Sequence, residues 1–179
     1  MAVQIGAKPA SGFDDPIGMM QDCHRRIERF LDILHRVVRK ARRRALTAEE
    51  VQAVETALHY FRTSGLQHSE DEEQSLFSRL RALGATDVLQ QVERLESDHR
   101  AAAVLHEEAD RIYPRWISAG LLSTKDAAAL EAATGELARI YSTHIAVEEG
   151  IVFPRAAALF GKDLLHTMSA EFRRRRALD

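Results

Sequence analysis

The stretch HSEDEEQSLFSR at residues 68–79 recurs in outline as HIAVEEGIVFPR at residues 144–155. Both copies follow the frame H-x-x-x-E-E-x-x-x-F-x-R, and we call them the first arm and the second arm. Nearly the same offset places DCHR at residues 22–25 over SDHR at residues 97–100. Self-similarity at a fixed offset indicates an internal duplication. The sequence therefore predicts a pseudo-twofold arrangement, in which the first two helices correspond to the next two.

Signals for the start and end of a helix mark the first half of the chain. Asp15 precedes Pro16, which is typical of an N-cap followed by the first helical position. Thr47 and Glu50 form a capping-box pattern at the start of a second helix. Gly84 supplies the expected C-terminal stop of that helix.

The second half repeats this layout. A third helix is predicted from near Thr86 to Gly120, with Pro114 expected to kink or interrupt its last turns. Ser123 is the expected N-cap of a fourth helix. This helix should loosen at about Gly150, because glycine and the proline that follows it disfavour continued helix.

A shorter fifth helix is predicted over residues 162–176, and no segment has the pattern of a strand. Four long helices with short connections predict an all-α fold, an up-down-up-down four-helix bundle with a short C-terminal fifth helix. Residues 1–13 are expected to form a flexible N-terminal segment. Residues 14–179 are expected to form one domain.

Composition narrows the function classes. The 179 residues carry a formal net charge of −2, which gives no general attraction to nucleic acid or membranes. No apolar run approaches the roughly 20 residues of a membrane span, and no apolar signal segment is visible. The single cysteine, Cys23, excludes an internal disulfide framework. A cytoplasmic protein without nucleic-acid or membrane partners is expected, although its protein partners cannot be read from the sequence.

Spacing within the frame points to a metal site. Residues four apart share a helix face, so the first glutamate of each arm projects beside that arm's histidine. His24 and His99 lie at matching distances from the connecting loops, which places them at the same height in an antiparallel bundle. Glu73 and Glu149 are rotated away from the arm histidines in a regular α-helix, so they are expected to face solvent or surface ion pairs. The predicted metal ligands are His24, His68, Glu72, His99, His144 and Glu148.

Six such residues exceed the four ligands of one zinc ion and divide between two metals. The duplication suggests His24 with His68 on one ion and His99 with His144 on the other, with both glutamates bridging. Imidazole and carboxylate suit iron, with manganese or zinc as alternatives. A single H-x-x-x-E pair is usually an ordinary helix-surface pair, but the repeated frame favours a shared metal site over that explanation.

The order H…HxxxE…H…HxxxE and the ending EEGIVFPR resemble the hemerythrin-like proteins with an HHE cation-binding domain, over about residues 14–176. The resemblance implies two iron ions in an oxo- or hydroxo-bridged, non-haem centre that reacts with dioxygen, nitric oxide or peroxide. Oxygen carriers of this kind have a further histidine where this chain has Ala103. The resemblance is therefore to the four-histidine bacterial type, in which simple oxygen carriage is not the expected role.

Three functions remain open from the sequence. The first is binding or sensing of dioxygen or nitric oxide as a small ligand. The second is enzymatic: detoxification of peroxide or nitric oxide, or iron donation for iron–sulfur repair. The third is metal storage or a structural metal site. Whether the protein is an enzyme is not decided by these patterns.

Several other residues allow two interpretations. His106 lies two turns from His99 and is either a channel residue or outside the site. Tyr141, one turn before His144, is expected to be a core tyrosine that uses its hydroxyl for one hydrogen bond. Cys23 is expected to be a buried, inert thiol. The arginine run at residues 173–176 suits the C-terminus of a helix.

Overall fold

The computed structural model describes residues 11–177 and shows an all-α fold, with no strand in this part of the chain. The first ten residues, most of the predicted flexible segment, lie outside the described residues. Phe13 already packs against the apolar core, where the Arg173 guanidinium stacks over its ring. None of the helices within residues 11–177 combines the length and the apolar character that crossing a bilayer requires.

Five helical runs follow one another in the order that the sequence predicts. The first is Pro16–Ala41, the third is Leu89–Ala119 and the fifth is Lys162–Arg175. The second run is made of Ala48–Tyr60, the π-helical Phe61–Gly65, Leu66–Glu70, the π-helical Asp71–Phe77 and Ser78–Ala82. The fourth run is made of Thr124–Val147, the π-helical Glu148–Val152 and Phe153–Leu159.

The predicted helix ends are confirmed where a cap carries the signal. The Asp15 side chain accepts a hydrogen bond from the Gly18 amide. Thr47 and Glu50 form both hydrogen bonds of a capping box. Gly84 adopts a positive φ of 67° just after the second run, where a side chain would be strained.

The prolines interrupt less than expected. The third helix continues past Pro114 because fully buried Tyr113 and Trp116 hold its last turns: the Tyr113 hydroxyl donates to Leu34 O, and Trp116 Nε1 donates to Arg44 O at 3.1 Å. Such packing offsets a cost of about 3 kcal/mol for an interior proline.

The fourth helix widens into a π turn around Gly150, where the sequence predicts that it loosens, but it continues beyond that turn. Its π turn, Glu148–Val152, precedes Pro154, which sits in the first turn of the following α-helical segment. A widened turn changes which carbonyl lies under the proline ring, so the helix tolerates Pro154 and runs on to Leu159.

The four long helices pack in a ring, each against its neighbours in sequence and the fourth against the first. Two apolar clusters fill the bundle at different heights. One includes Leu34, Val54 and Trp116, near the loops that join the first helix to the second and the third to the fourth. The other includes Leu76 and Phe172, at the end that the fifth helix covers. A polar layer between the clusters contains the predicted ligands.

Candidate metal centre

The six predicted ligands come together in the polar layer of the bundle. Five are classed as fully buried, and the His99 side chain is only 9 % exposed. Two buried carboxylates and four imidazoles in one layer would be costly unless they shared protons or bound a cation. The residues of this layer are His24, His68, Glu72, His99, His144 and Glu148.

One group of ligand atoms joins the first and second helices to the end of the fourth. His68 Nε2 lies 2.9 Å from Glu72 Oε1, and His24 Nε2 lies 3.7 Å from the same oxygen. His24 Nε2 also lies 3.0 Å from Glu148 Oε2. These four residues offer one ligand atom each within 4.8 Å of one another, which suits a single ion.

A second group joins the third and fourth helices to Glu72. His99 Nε2 lies 3.2 Å from Glu72 Oε2, and His144 Nε2 lies 3.4 Å from Glu148 Oε2. Glu72 therefore turns one oxygen toward each group, as a bridging carboxylate does. Glu148 instead presents the same oxygen to His24 and His144. The histidines divide into the two pairs that the duplication suggests.

The contacts among these atoms fit metal ligands better than hydrogen-bond partners. Both oxygens of Glu72, both oxygens of Glu148 and His24 Nε2 are buried and have no partner in hydrogen-bond geometry. Ligand atoms about 2.1 Å from an octahedral ion lie about 3 Å apart along each edge. The observed spacings of 2.9 to 3.7 Å match that arrangement. The layer therefore has the donor set and the spacing for metal binding.

Two of the four histidines, His24 and His99, lie outside the arms, and we call them the lone histidines. Each arm encloses the lone histidine of the other half. In the first arm, Glu73 Oε1 lies 2.7 Å from His99 Nδ1, and Phe77 stacks on the same ring at 6.4 Å between centroids. In the second arm, Glu149 Oε1 lies 2.9 Å from His24 Nδ1. Phe153 stacks on the His24 ring at 5.4 Å between centroids.

The expectation that Glu73 and Glu149 serve only solvent or surface ion pairs was therefore incomplete. Both are partly exposed, and Glu149 also pairs with Arg25, yet each holds a histidine on the side away from the carboxylate layer. The reason is the π-helical geometry of both arms, Asp71–Phe77 and Glu148–Val152. A π turn bonds i to i+5, so the fifth residue after the arm histidine no longer follows α-helical spacing.

In the metal-free layer the carboxylates raise the pKa of both lone histidines and of His68. Burial would lower the pKa of His24, but contact with Glu148 and Glu72 outweighs it and raises the pKa to about 9. Burial of His99 is likewise outweighed by Glu72 and Glu73, and its pKa rises to about 9. For Glu72, the neighbouring imidazoles overcome burial and hold the carboxyl pKa well below its usual value. A metal ion would have to displace these protons.

His106 and Tyr141 form a second polar contact near the layer. His106 Nε2 lies 3.3 Å from the Tyr141 hydroxyl, and the Tyr141 ring lies 6.1 Å from the His144 ring. Burial lowers the pKa of His106 to about 4, so its imidazole is neutral. Tyr141 makes the single hydrogen bond expected of it, and His106 is its partner rather than a member of either ligand group.

The remaining candidates lie outside the layer. His59 is exposed, and His35 Nδ1 lies 3.0 Å from Thr134 Oγ1. Ala103 is exposed. A Cβ on Gly65 would lie 3.4 Å from the Phe61 ring, so this glycine marks close packing rather than open space.

The arginine run has a role that sequence reasoning missed. Arg175 and Arg176 each contact the buried Asp71 carboxylate at 2.6 Å, and Arg175 also donates to Ser75 Oγ. Glu171 pairs with Arg79 of the first arm. These contacts fasten the fifth helix over the first arm. The sequence signal that could have suggested this contact was Asp71, an acidic residue within the polar first arm.

Comparison with known proteins agrees with this geometry. The sequence model of the hemerythrin HHE cation-binding domain matches residues 15–172. Searches of the curated proteins and of the solved structures gave no match. The matched range contains all six residues of the polar layer, both arms and most of the fifth helix. The chain therefore belongs to the hemerythrin HHE cation-binding domain family.

Proposed function

We propose that this protein holds two non-haem iron ions in the polar layer and uses them to bind or sense dioxygen or nitric oxide. The observation that carries the proposal is the pairing of four imidazoles around two buried carboxylates, with ligand atoms in two groups that share Glu72. Mixed nitrogen and oxygen donors suit iron. Iron in such a centre supplies the redox chemistry and the affinity for small diatomic ligands.

Open coordination positions support ligand binding rather than a closed structural site. Each ion would receive two imidazoles and shared carboxylate oxygens, fewer than the six ligands of an octahedral ion. Ala103 is exposed and provides no further donor. A metal with positions left for a small molecule is typical of reactive centres, whereas structural sites are closed by protein ligands.

The surrounding residues would shape the ligand's environment. Phe77 and Phe153 cover the lone histidines and keep water from them. Tyr141 keeps a neutral hydroxyl near the layer, because burial, with the charges of Glu72 and Glu148, raises its pKa. His106 Nε2 lies 3.3 Å from that hydroxyl, so the hydroxyl would be free to donate to a ligand when His106 supplies the proton of their contact.

The test is metal analysis combined with anaerobic absorption spectra before and after addition of dioxygen or nitric oxide. The expected result is two iron ions per chain and a spectral change that reverses when the gas is removed. His144→Ala should lose metal. Removing a residue that only supports a ligand lowers metal affinity by about 10- to 100-fold, and removing the ligand itself should cost more.

His59→Ala is the matched control, since His59 is an exposed histidine of the second run. It should keep both the metal and the spectral response. Fewer than one ion per chain in the wild type, unchanged by His144→Ala, would disprove the proposed site. Two zinc ions and no response to either gas would leave a metal site but exclude ligand sensing.

A further inference from the structure

The two halves of the centre differ at one residue that lies on the Nδ1 side of a candidate ligand, away from the carboxylates. We call a residue on that side a backing residue. Each lone histidine is backed by a glutamate of the opposite arm, so these two contacts are equivalent. The arm histidines are backed instead by the residue that precedes each lone histidine. That residue is Cys23 in the first half and Asp98 in the second.

Geometry places both residues against the arm histidines. Asp98 Oδ2 lies 3.6 Å from His144 Nδ1, an ion-pair contact rather than a hydrogen bond, and the buried Cys23 side chain neighbours His68. Since His68 Nε2 faces Glu72, the duplication assigns the thiol to the Nδ1 side. His68 is 97 % buried, with a side-chain exposure of 3 %. Neither His68 Nδ1 nor His144 Nδ1 has a partner in hydrogen-bond geometry, so the halves differ in the charge of the side chain beside this nitrogen.

A carboxylate and a thiol act differently on an imidazole ligand. A carboxylate beside Nδ1 favours a proton on that nitrogen through its charge, which leaves Nε2 free as the donor to metal and strengthens it. A thiol is only a weak acceptor. Within the duplicated set of backing residues, three are therefore carboxylates and one, Cys23, is not. The ion at His24 and His68 lacks one of the supports that the other ion has.

We propose that the exchange of a carboxylate for Cys23 makes the two metal positions inequivalent, with the ion at His99 and His144 held more tightly than the ion at His24 and His68. This inference rests on the proposed di-iron function. It assigns Cys23 and Asp98 as positioning residues that act through the arm histidines. The weaker ion is the one whose ligands exchange more readily.

The test uses the iron-loaded protein with ⁵⁷Fe, Mössbauer spectra and the time course of iron release to a chelator. Wild type should show two quadrupole doublets of equal area. Iron release should show two phases with rates about 10-fold apart, since losing a residue that supports a ligand lowers metal affinity by at least about that factor. Asp98→Cys should bring both ions to the faster phase and merge the doublets. Loss of one iron ion from Asp98→Cys would also support the proposal, because it would show that Asp98 helps to hold that ion.

Cys23→Asp is the converse change and should slow the faster phase, although an added carboxylate at a buried position tests folding as well. Asp98→Cys guards against that problem, because Asp98 is partly exposed and the change reduces side-chain size. Asp32→Cys is the matched control, since it introduces a cysteine at an exposed site of the first helix. It should leave both phases unchanged.

The failure of this inference differs from the failure of the proposed function. Two ions released in a single phase, or two phases that neither exchange alters, would overturn the inference and leave the di-iron centre intact. Fewer than one ion per chain in the wild type would overturn both.

Discussion

The two arms carry the same candidate ligands but face different surroundings. In the first arm, Asp71 and Ser75 are buried and bound by arginine and glutamate side chains of the fifth helix. The corresponding positions of the second arm are Val147, which is half-buried, and Ile151, which is 43 % exposed. The residues that touch the metal layer are thus repeated, whereas the outer face of each arm is not.

This difference separates two requirements on the same segment. The inner face must hold a histidine, a bridging glutamate, a backing glutamate and an aromatic ring at fixed spacing, and both arms satisfy it through a π turn. The outer face has only to pack, and in one half it packs against a helix that has no counterpart in the other. Changes to the inner face should therefore alter metal binding, and changes to the outer face should alter stability.

The largest expected effect comes from the bridging glutamates. Glu72 belongs to both ligand groups, whereas Glu148 belongs to the first group and meets the second through the 3.4 Å contact of its Oε2 with His144 Nε2. Glu72→Gln should lose both ions. Metal affinity should fall by more than about 100-fold, which is the largest loss typical of residues that only support a ligand. Glu148→Gln should weaken mainly the ion at His24 and His68. Iron per chain after dialysis measures the difference, and equal loss in the two variants would contradict an unequal sharing of the carboxylates.

The outer face is tested by Asp71→Ala. This change leaves Arg175 and Arg176 without their buried partner, and breaking a buried pair costs about 3 kcal/mol or more of the free energy of unfolding. Denaturant unfolding of the metal-free protein measures it. Arg111→Ala removes a solvent-exposed pair on the third helix and should leave that free energy unchanged. Equal stability of the two variants would mean that the fifth helix contributes little to the fold.

Much of this molecule follows from local rules in the sequence. The N-caps at Asp15, Thr47 and Ser123 mark helix starts because their side chains satisfy free backbone amides nearby. The convergence of the candidate ligands was predictable, because residues at equal distances from a connecting loop lie at the same level in two antiparallel helices. Both predictions use regular α-helical geometry, and both hold over the stretches where the helices are regular.

The errors of sequence reasoning occur where that geometry changes or where distant segments meet. The π turns carry no reliable sequence signal, so Glu149 was assigned to the surface, and the loosening predicted at about Gly150 was not expected to be a turn from which the helix continues. The partner of Asp71 lies about a hundred residues away, and an arginine run alone does not say which carboxylate it meets. Tertiary packing, rather than propensity, also keeps the third helix intact at Pro114.

The backing glutamates provide a sharper comparison of the arms. Glu73→Gln and Glu149→Gln should each weaken iron binding by about 10-fold, because a neutral amide supports the imidazole less than a carboxylate does. Glu28→Gln is the control: Glu28 pairs with Arg25 as Glu149 does, but it is an exposed neighbour that contacts no ligand. Competition with a chromogenic chelator gives the affinities. No change in either variant would show that these contacts are surface ion pairs only.

The smallest difference between the halves is expected in the pH dependence of the metal-free protein. His24 and His99, one from each half, both have a pKa raised from 6.5 to about 9. A raised pKa contributes stability that is fully present below pH 6.5 and is lost as the pH rises through about 9. The free energy of unfolding should therefore fall over this window, by at most about 1.4 kcal/mol per pH unit for each proton released.

His24→Ala and His99→Ala should each remove part of this slope, and by the same amount, because equivalent carboxylates surround the two rings. Unfolding by urea at pH 6, 7.5 and 9 measures the slope. The iron-loaded protein should not lose stability over the same window, since the metal has already displaced the protons. A slope that only one of the two variants reduces would show that the metal-free centre is asymmetric at its lone histidines as well as at Cys23 and Asp98.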